Sequence, residues 1–490
     1  MTLPEHVDVL IVGAGFGGLA AAIQLDKNGT RDFLVIDRGA DVGGTWRDNT
    51  YPGATCDVPS QLYSFSFALN PDWTRSFSSQ PEIQDYLRNV ASSSAVLDRF
   101  EFGIALTAAA WDVGTGNWQL STTAGSLTAR VLVVAAGALS EPKLPDIAGL
   151  DDFGGEIFHS ARWNHDFDLR GKRVAVIGTG ASAIQIVPEL AKIAERVDVY
   201  QRTPPWIMPR RDRAISRWEK LAYRYVPGAQ RLSRQAIYWG REALVPIFTV
   251  KPGLGKYVQG AAIKNIHRSI DDPALRRQLT PNFALGCKRV LMSNHWYRAL
   301  AKSNVDLITA PIARITTDSI ETADGRSVAV DAIVVATGFT PTEMPLAPHI
   351  TGKDGQSLSS HWREHGMQAY KGATVAGFPN LFFVVGPNTG LGHSSMVFMI
   401  ESQVAYLVDA IRTMRRHAVA SVEVDEGRLA EYNKSLQRRM KRTVWNVGGC
   451  QSWYLDDHGR NVTLWPRTTI TFRAITRKFD LDAYRRVPRS

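Results

Sequence analysis

The sequence has 490 residues, of which 44% are hydrophobic and 21% charged, as in a folded globular protein of two or three domains. Its three cysteines, Cys56, Cys287 and Cys450, are far apart, which argues against a disulfide framework or a zinc module and favours a reducing compartment. No stretch is apolar for the length of a membrane span, and the N-terminus lacks the basic start of a signal peptide. A cytoplasmic location is therefore expected.

The net charge of +10 is concentrated in one segment. Between Arg210 and Arg289 there are 17 basic and 5 acidic residues. Such a segment next to a dinucleotide site would attract a phosphate-rich cofactor, although a solvated helical surface accounts for most of these residues. A nucleic-acid partner is not expected.

The first motif, "VDVLIVGAGFGGLAAAIQL", has the order apolar strand, glycine turn and small-residue helix. Gly13, Gly15 and Gly18 form G-x-G-x-x-G, which allows the turn, a close approach of backbone to a pyrophosphate, and packing of helix on strand. The next strand, "DFLVID", ends at Asp37, where a carboxylate accepts hydrogen bonds from ribose hydroxyls. The motif predicts a site for an unphosphorylated adenosine.

The pattern repeats in "KRVAVIGTGASAIQIVPEL", with Gly178, Gly180 and Ala183. Its following strand, "RVDVYQRT", carries Gln201 in place of the acid and then Arg202. Loss of the acid and gain of an arginine suit a ribose 2′-phosphate. Two dinucleotide units with different preferences predict FAD and NADPH as cofactors.

Two later strands, "VLVVAAG" and "AIVVATG", end in small-residue turns that would pass the chain from one unit to the other. The predicted fold is therefore α/β, with two Rossmann-like domains, the FAD domain being split by an inserted NADP domain that carries a helical insertion. The predicted boundaries are 1–145 and 345–490 for the FAD domain, 146–209 and 289–344 for the NADP domain, and 210–288 for the insertion.

Three loops hold candidate reactive residues. "VGGTWRDNTYPGATCD" ends at Asp57, which is either a turn residue or part of a site. "GCKRVLMS" contains Lys288 and Arg289, which are either surface charges or contacts to a cofactor phosphate and a reacting oxygen. "GPNTGLGHSSM" contains His393, for which a capping role is favoured over proton donation. A helix that starts near Gly392 would stabilise negative charge on a reduced flavin.

With these residues in place, the chain resembles the type I Baeyer–Villiger monooxygenases, the class B flavoprotein family of phenylacetone and cyclohexanone monooxygenases. The linker-like stretch "FGGEIFHSARW" matches the family fingerprint F-x-G-x-x-x-H-x-x-x-W, and "GGTWRDNTYPGATCD" matches G-G-x-W-x-x-x-x-Y-P-G-x-x-x-D. Both Rossmann motifs flank the fingerprint, so the resemblance covers nearly the whole chain. Asn164 departs from the usual Pro or Asp after the fingerprint.

The resemblance implies that NADPH reduces FAD, that dioxygen adds to the flavin, and that the peroxyflavin attacks a ketone to give an ester or lactone through a Criegee adduct. It implies catalytic roles for Arg289 and its partner Asp57, with Arg289 acting by charge. The fingerprint residues Phe153, Gly155, His159 and Trp163 would couple the domains, with Gly155 allowing a bend in the linker. The implied cofactor-binding residues are Gly13, Gly15, Gly18, Asp37, Arg38, Thr45, Trp46, Asp57, Tyr63, Gly178, Thr179, Gly180, Ser182, Gln185, Arg202, Thr203 and Lys288.

Other functions remain open from the sequence. The same cofactors support N or S oxygenation, because a fold does not decide chemistry. A flavin disulfide reductase is disfavoured, since the cysteines form no C-x-x-C pair. The aromatic residues of the insertion suit an interfacial helix, but a substrate tunnel or packing on the NADP domain is preferred. The expected partners are a ketone and O₂, no metal is expected, and a monomer or homodimer is expected.

Overall fold

The computed structural model describes residues 3–250, 253, 255–456 and 458–489. Two sheets organise this part of the chain, one with eight strands and one with five. The strands are β1 His6–Val12, β2 Phe33–Asp37, β3 Phe100–Phe102, β4 Leu106–Asp112, β5 Asn117–Thr122, β6 Gly125–Val134, β7 Glu156–His159, β8 Arg173–Ile177, β9 Arg196–Tyr200, β10 Ile207–Met208, β11 Leu291–Met292, β12 Val305–Ile308, β13 Ile312–Ile315, β14 Ser319–Thr322, β15 Ser327–Ala329, β16 Ala332–Val335, β17 Ile350–Thr351, β18 Leu381–Phe383, β19 Val419–Val424 and β20 Tyr484–Pro488.

Helices cover the sheets and form most of the segment between β10 and β11. They are α1 Phe16–Lys27, α2 Thr45–Asp48, α3 Gln80–Ser93, α4 Ala183–Leu190, α5 Arg217–Tyr225, α6 Ala229–Glu242, α7 Val245–Thr249, α8 Gly255–Ser269, α9 Pro273–Leu279, α10 Trp296–Leu300, α11 Leu358–His365, α12 Met396–Arg416, α13 Glu426–Met440, α14 Val444–Val447 and α15 Thr469–Thr476.

The eight-stranded sheet has the order β17-β4-β5-β6-β1-β2-β3, and β18 also pairs with β6. Its central strands are parallel and buried on both faces, as their continuous apolar sequence requires. Helices α1 and α12 pack against one face. This sheet and its helices are called the first domain below.

The five-stranded sheet, β12-β9-β8-β16-β7, is entirely parallel and defines the second domain. It lies between β6 and β17 in the chain, so it interrupts the first domain, as the sequence predicted. The two chain segments that cross between the domains are hydrogen-bonded to each other, Lys143 N donating to Gly338 O over 2.9 Å. The α/β fold with two Rossmann-like units is confirmed.

Steric contacts explain why the first turn needs glycine. Gly13 has a φ of 109°, a conformation that L side chains rarely adopt. A Cβ on Gly18 would lie 1.7 Å from the carbonyl oxygen of Gly13. Glycine at both positions therefore lets α1 pack directly against the turn that follows β1.

The fingerprint stretch is not a linker. Residues 156–159 form β7, an edge strand of the second sheet that pairs with β16. The chain does bend at Gly155, as predicted. Close approach is a second reason for glycine there, because a Cβ would lie 2.6 Å from the carbonyl oxygen of Asp331. The ring of Trp163 packs edge-on against Phe158 at 4.9 Å, and Phe153 is buried on the other side of the sheet.

His159 is buried at the carboxyl end of β7, next to the crossing segment. Its Nδ1 accepts a hydrogen bond from the backbone N–H of Ala161 over 3.1 Å, and its ring packs against Phe339. Burial lowers the pKa of His159 to about 4; the backbone of Gly338 opposes this shift, and the charge of Arg162 adds to it. The imidazole is therefore neutral at pH 7 and is a packing residue of the domain crossing.

The helical insertion contacts the first domain, and the expected packing on the second domain is wrong for α6. Tyr223 and Tyr238 pack with the core of the first domain. Trp218, Tyr225 and Trp239 are exposed, and none of them lines the cavity described below. The reason is that α6 presents its polar side chains inward, where they find hydrogen-bond partners in the first domain.

A disulfide joins Cys287 to Cys450, whose Cα atoms are 6.1 Å apart, and contradicts the expectation drawn from cysteine spacing. The two residues are 163 positions apart, so no local pattern announces the pair. The bond ties the segment before Lys288 and Arg289 to the loop after α14. Cys56 is buried as a free thiol.

We expect His159 to make the protein sensitive to acid. An unfolded histidine titrates near pH 6.5, so between about pH 6.5 and 4 the unfolded chain binds a proton that the folded chain does not. Stability is lost as the pH falls through this window, by up to about 3 kcal/mol. His159→Gln removes this dependence, so its thermal midpoint should fall less steeply than that of the parent between pH 7 and pH 4. The exposed His417→Gln is the control, and parallel curves for parent and His159→Gln would contradict the assignment.

Candidate active site

A cavity of about 600 Å³ runs through the first domain along the carboxyl ends of β1 and β6. Parallel sheets bind ligands at this edge, because the loops that follow the strands diverge there. Asp37 and Arg289, the latter from the segment after the insertion, both line the cavity. The lining also includes Gly13, Gly15, Arg38, Thr45, Trp46, Arg47, Tyr63, Leu391, Met396, Trp453 and Tyr454.

Asp37 holds the glycine turn and still faces the cavity. One carboxylate oxygen accepts from Ala14 N over 2.7 Å, and the other from Gly39 N and from Nη1 of Arg47. A carboxylate offers about four acceptor positions, so it remains able to accept from a ligand hydroxyl. Arg47 was missed by sequence reasoning, although it lies inside the G-G-x-W motif. Arg38 forms an ion pair with Glu141 at the cavity wall.

The middle of the cavity has an aromatic wall. Trp46, on the short helix α2, donates through Nε1 to the hydroxyl of Tyr63 over 3.0 Å, and their rings meet edge-on at 5.6 Å. Burial raises the pKa of Tyr63, so the hydroxyl stays protonated. Thr45 begins α2 beside the same space. These residues offer flat apolar surface with one fixed polar atom.

Asp57 and Arg289 form a bidentate ion pair 232 positions apart in the chain. Nε and Nη2 of Arg289 each donate to one carboxylate oxygen over 2.8 Å. Burial alone would raise the pKa of Asp57, but the charge and hydrogen bonds of Arg289 outweigh it and lower that pKa below its usual range. The Asp57 charge likewise raises the pKa of Arg289. Both groups are therefore ionised, with a fixed cation at the cavity wall.

Two further groups hold this pair, and the sequence reasoning found neither. Nη1 of Arg289 donates to the carbonyl of Leu391 over 3.3 Å. Nη2 of Arg241, on α6, donates to the carbonyl of Asp57 over 3.0 Å. Arg241 thus places a second guanidinium beside the carboxylate. The sequence offers one signal for Arg241: it lies on the same face of α6 as the buried polar residues Arg234 and Tyr238.

His393 is tied to the insertion and does not line the cavity. Its Nε2 contacts a carboxylate oxygen of Glu242 at 3.1 Å, and both side chains are buried. Glu242 also accepts from the backbone N–H and the hydroxyl of Thr469. Burial would raise the pKa of Glu242, but these hydrogen bonds lower it. His393 is two positions after Leu391, whose carbonyl accepts from Arg289. By holding His393, Glu242 therefore fixes the loop that positions Arg289.

A second cluster lies at the turn after β8. A Cβ on Gly180 would meet nothing within 4 Å, so the turn faces open space, as backbone that receives a pyrophosphate must. The hydroxyl of Thr179 donates to the carbonyl of Thr203 and links this turn to the segment after β9.

Arg202, which follows β9, lies close enough to Lys288 for their charges to interact. Burial lowers the pKa of Lys288, and the nearby charge of Arg202 adds to the effect. Neither residue has a salt bridge within the part of the chain that the structure describes. Two adjacent cations without a carboxylate form a site that suits a phosphate group.

Gln185 contacts the first domain and not the open space at the turn. Its side-chain oxygen accepts from Tyr51 and from Thr55 N over 3.2 Å, and its nitrogen donates to Thr55 O over 2.9 Å. Tyr51 also interacts with Ser182. Thr50 meets His165 at 2.7 Å. The loop that ends at Asp57 is therefore held by side chains of the second domain.

The cysteines take no part in the cavity. Cys56, Cys287 and Cys450 are all outside its lining, and burial raises the pKa of Cys56 so that its thiol is unreactive. Among the residues described, no group of three His, Cys, Asp or Glu side chains could hold a metal ion.

Comparison with known proteins gives consistent results. Residues 10–220 match the family described as pyridine nucleotide-disulphide oxidoreductase. The crystal structure of OTEMO in complex with FAD and NADP superposes with a TM-score of 0.89 and 27% identity, covering 98% of this chain and 99% of that one. The closed crystal structure of cyclohexanone monooxygenase gives 0.88 and 27%, over 99% and 100% of the two chains.

A relative from Streptomyces coelicolor, a Baeyer–Villiger monooxygenase, is 50% identical over 482 residues. The aligned region covers 98% of this chain and 92% of that protein. The chain therefore belongs to the Baeyer–Villiger monooxygenases.

Proposed function

We propose that this protein uses NADPH, FAD and O₂ to insert one oxygen atom next to a ketone carbonyl, giving an ester or lactone. The observation that carries the proposal is the Asp57–Arg289 ion pair, in which Arg289 lines the cavity. The pair fixes a permanent cation at the wall of the cavity, beside the space that a flavin ring would occupy. Membership in the Baeyer–Villiger family supports the same reaction.

The cavity fits FAD. Its lining combines a carboxylate, a glycine turn and aromatic rings, which suit adenosine, pyrophosphate and a flat ring respectively. Helix α12 begins at Met396, which also lines the cavity, so its N-terminus favours negative charge there. Bound FAD, once reduced, supplies the oxygen-transfer chemistry, with a peroxyflavin and a Criegee adduct as the proposed course.

The second turn fits NADPH. Arg202 and Lys288 would hold the 2′-phosphate, and Gly178, Thr179 and Gly180 would pass beneath the pyrophosphate. Lys288 is next to Arg289 in the chain, so the cofactor phosphate and the catalytic cation are held by one segment.

Arg289 would act through charge alone. It cannot lose its proton at working pH, and Asp57 and Leu391 fix two edges of its guanidinium. A positioned cation in a site that excludes water stabilises an anionic oxygen that develops during the reaction. Asp57 orients it, and Arg241 and Glu242 are positioning residues behind them.

We expect Arg289→Ala to lower ketone oxygenation by about 10²- to 10³-fold, because one positioned donor to a developing oxyanion contributes that much. FAD content should be unchanged. For the parent protein and the variant, ester formation from cyclic, aryl and long-chain ketones is measured, and thioether oxidation is measured in parallel. The control is the exposed Arg277→Ala.

Loss of ketone oxygenation with thioether oxidation retained supports the proposed reaction. Undiminished ketone oxygenation in Arg289→Ala would remove Arg289 from the mechanism. Oxidation of amines or thioethers alone by the parent protein would favour heteroatom oxygenation instead.

We expect Arg202→Gln to raise the KM for NADPH by about 10- to 100-fold and to leave the KM for NADH unchanged. The reason is the loss of a charge-assisted hydrogen bond to the 2′-phosphate. Steady-state kinetics with both coenzymes measure this, with the exposed Arg326→Gln as the control. An equal effect on NADH would show that Arg202 does not distinguish the two coenzymes.

We expect Glu242→Gln to increase the NADPH consumed per ester formed, by several-fold, with FAD content retained. The variant keeps the size of the side chain but removes the charge that holds His393 and Thr469, so the Leu391 carbonyl no longer fixes Arg289. NADPH, peroxide and ester are quantified together. The exposed Glu431→Gln is the control, and unchanged stoichiometry in Glu242→Gln would show that this contact does not position the site.

A further inference from the structure

Helix α6 has its amphipathic faces reversed. Gln230, Arg234, Tyr238 and Glu242, spaced by four, are buried against the first domain. They are held by hydrogen bonds: Nε2 of Gln230 donates to Gln61 over 2.8 Å, and Nη1 of Arg234 donates to the carbonyl of Gln61 over 2.8 Å. The helix is held by these hydrogen bonds and by Tyr238, whose ring stacks on Phe398, while Leu232 and Trp239 stay exposed.

The outer side of the hairpin is apolar and open to solvent. On α6, Leu232 is 73% exposed and Trp239 is 57% exposed, with the exposed Ala236 between them. On α5, Trp218 is 78% exposed and Tyr225 is 70% exposed. A spacing of seven places the two side chains of each helix on one face.

The two helices form one continuous structure. They are joined by residues 226–228, and the hydroxyls of Tyr223 and Ser233 meet at 3.1 Å across their interface. The four exposed side chains of this hairpin, Trp218, Tyr225, Leu232 and Trp239, are called the hairpin surface below.

The hairpin surface carries positive charge. An arginine comes directly before three of its four members: Arg217, Arg224 and Arg231. Arg224 pairs with Asp72, whereas Arg217 and Arg231 have no salt bridge within the described residues. Exposed indole and phenol rings next to arginines form the composition of helices that lie at a lipid interface.

We propose that the hairpin surface binds reversibly to an anionic lipid surface, with Trp218 and Trp239 entering the headgroup region and Arg217 and Arg231 contacting lipid phosphates. A second copy of the chain is a less suitable partner, because a two-fold contact would bring the same arginines together. The contact is peripheral, since no helix in the described ranges is long and apolar enough to cross a bilayer.

The test is sedimentation of the purified FAD-loaded protein with vesicles of phosphatidylcholine, with or without phosphatidylglycerol, at low and high salt. We expect binding to the anionic vesicles that weakens with salt. Trp218→Ser/Trp239→Ser should lower the affinity by about tenfold or more. Arg217→Gln/Arg231→Gln should lower it mainly at low salt. FAD content and NADPH oxidation without lipid should match those of the parent protein.

The matched control is Val113→Ser/Val487→Ser, which removes two apolar side chains, 69% and 58% exposed, from other surfaces of the first domain. It should bind like the parent protein. Three outcomes would overturn the proposal: no binding at low salt, equal binding by the tryptophan variant, or a concentration-dependent dimer that the tryptophan variant abolishes. The last result would assign the hairpin surface to a second copy.

Discussion

The ion pair between Asp57 and Arg289 is the contact on which the site depends. Each partner comes from a different part of the chain, and neither is stable alone beside an apolar cavity, because an unpaired charge there loses its hydration. Arg289 also donates to Leu391, and Arg241 donates to the backbone carbonyl of Asp57. The ion pair and the bond to Leu391 take three of the five N–H groups of Arg289, so the guanidinium can still donate to a bound oxygen. The guanidinium of Arg289 is therefore fixed only when the first domain, the helical insertion and the segment after the insertion are all folded.

The loop that carries Asp57 also connects the first domain to the second. The loop before Asp57 is bonded through Thr50, Tyr51 and Thr55 to side chains that follow β7 and lie on α4. A shift of the second domain would therefore act on Asp57 through a loop of a few residues. The fingerprint histidine contributes by packing at the crossing, whereas the charge at the site comes from elsewhere.

Sequence reasoning succeeded where the information is local. Gly13, Asp37, Gly178 and Arg202 follow their strands at fixed distances, so the two units and the overall fold could be predicted. It failed for pairs made by the fold: Glu242 with His393, and Cys287 with Cys450, are more than 150 positions apart. The family resemblance supplied Asp57 with Arg289, which spacing alone does not give. The orientation of α6 was also missed, since the partners of its polar side lie in another domain.

The Cys287–Cys450 bond has a consequence for how the chain carries mechanical load. While the bond is intact, residues 287–450 form a closed covalent ring that contains the return crossing near Phe339. Tension applied to the two chain ends passes through the sulfur atoms and bypasses that ring. The outgoing crossing near Lys143 lies outside the ring and takes the full tension. The two crossings are hydrogen-bonded neighbours in the fold, yet they would bear very different forces when the chain is pulled.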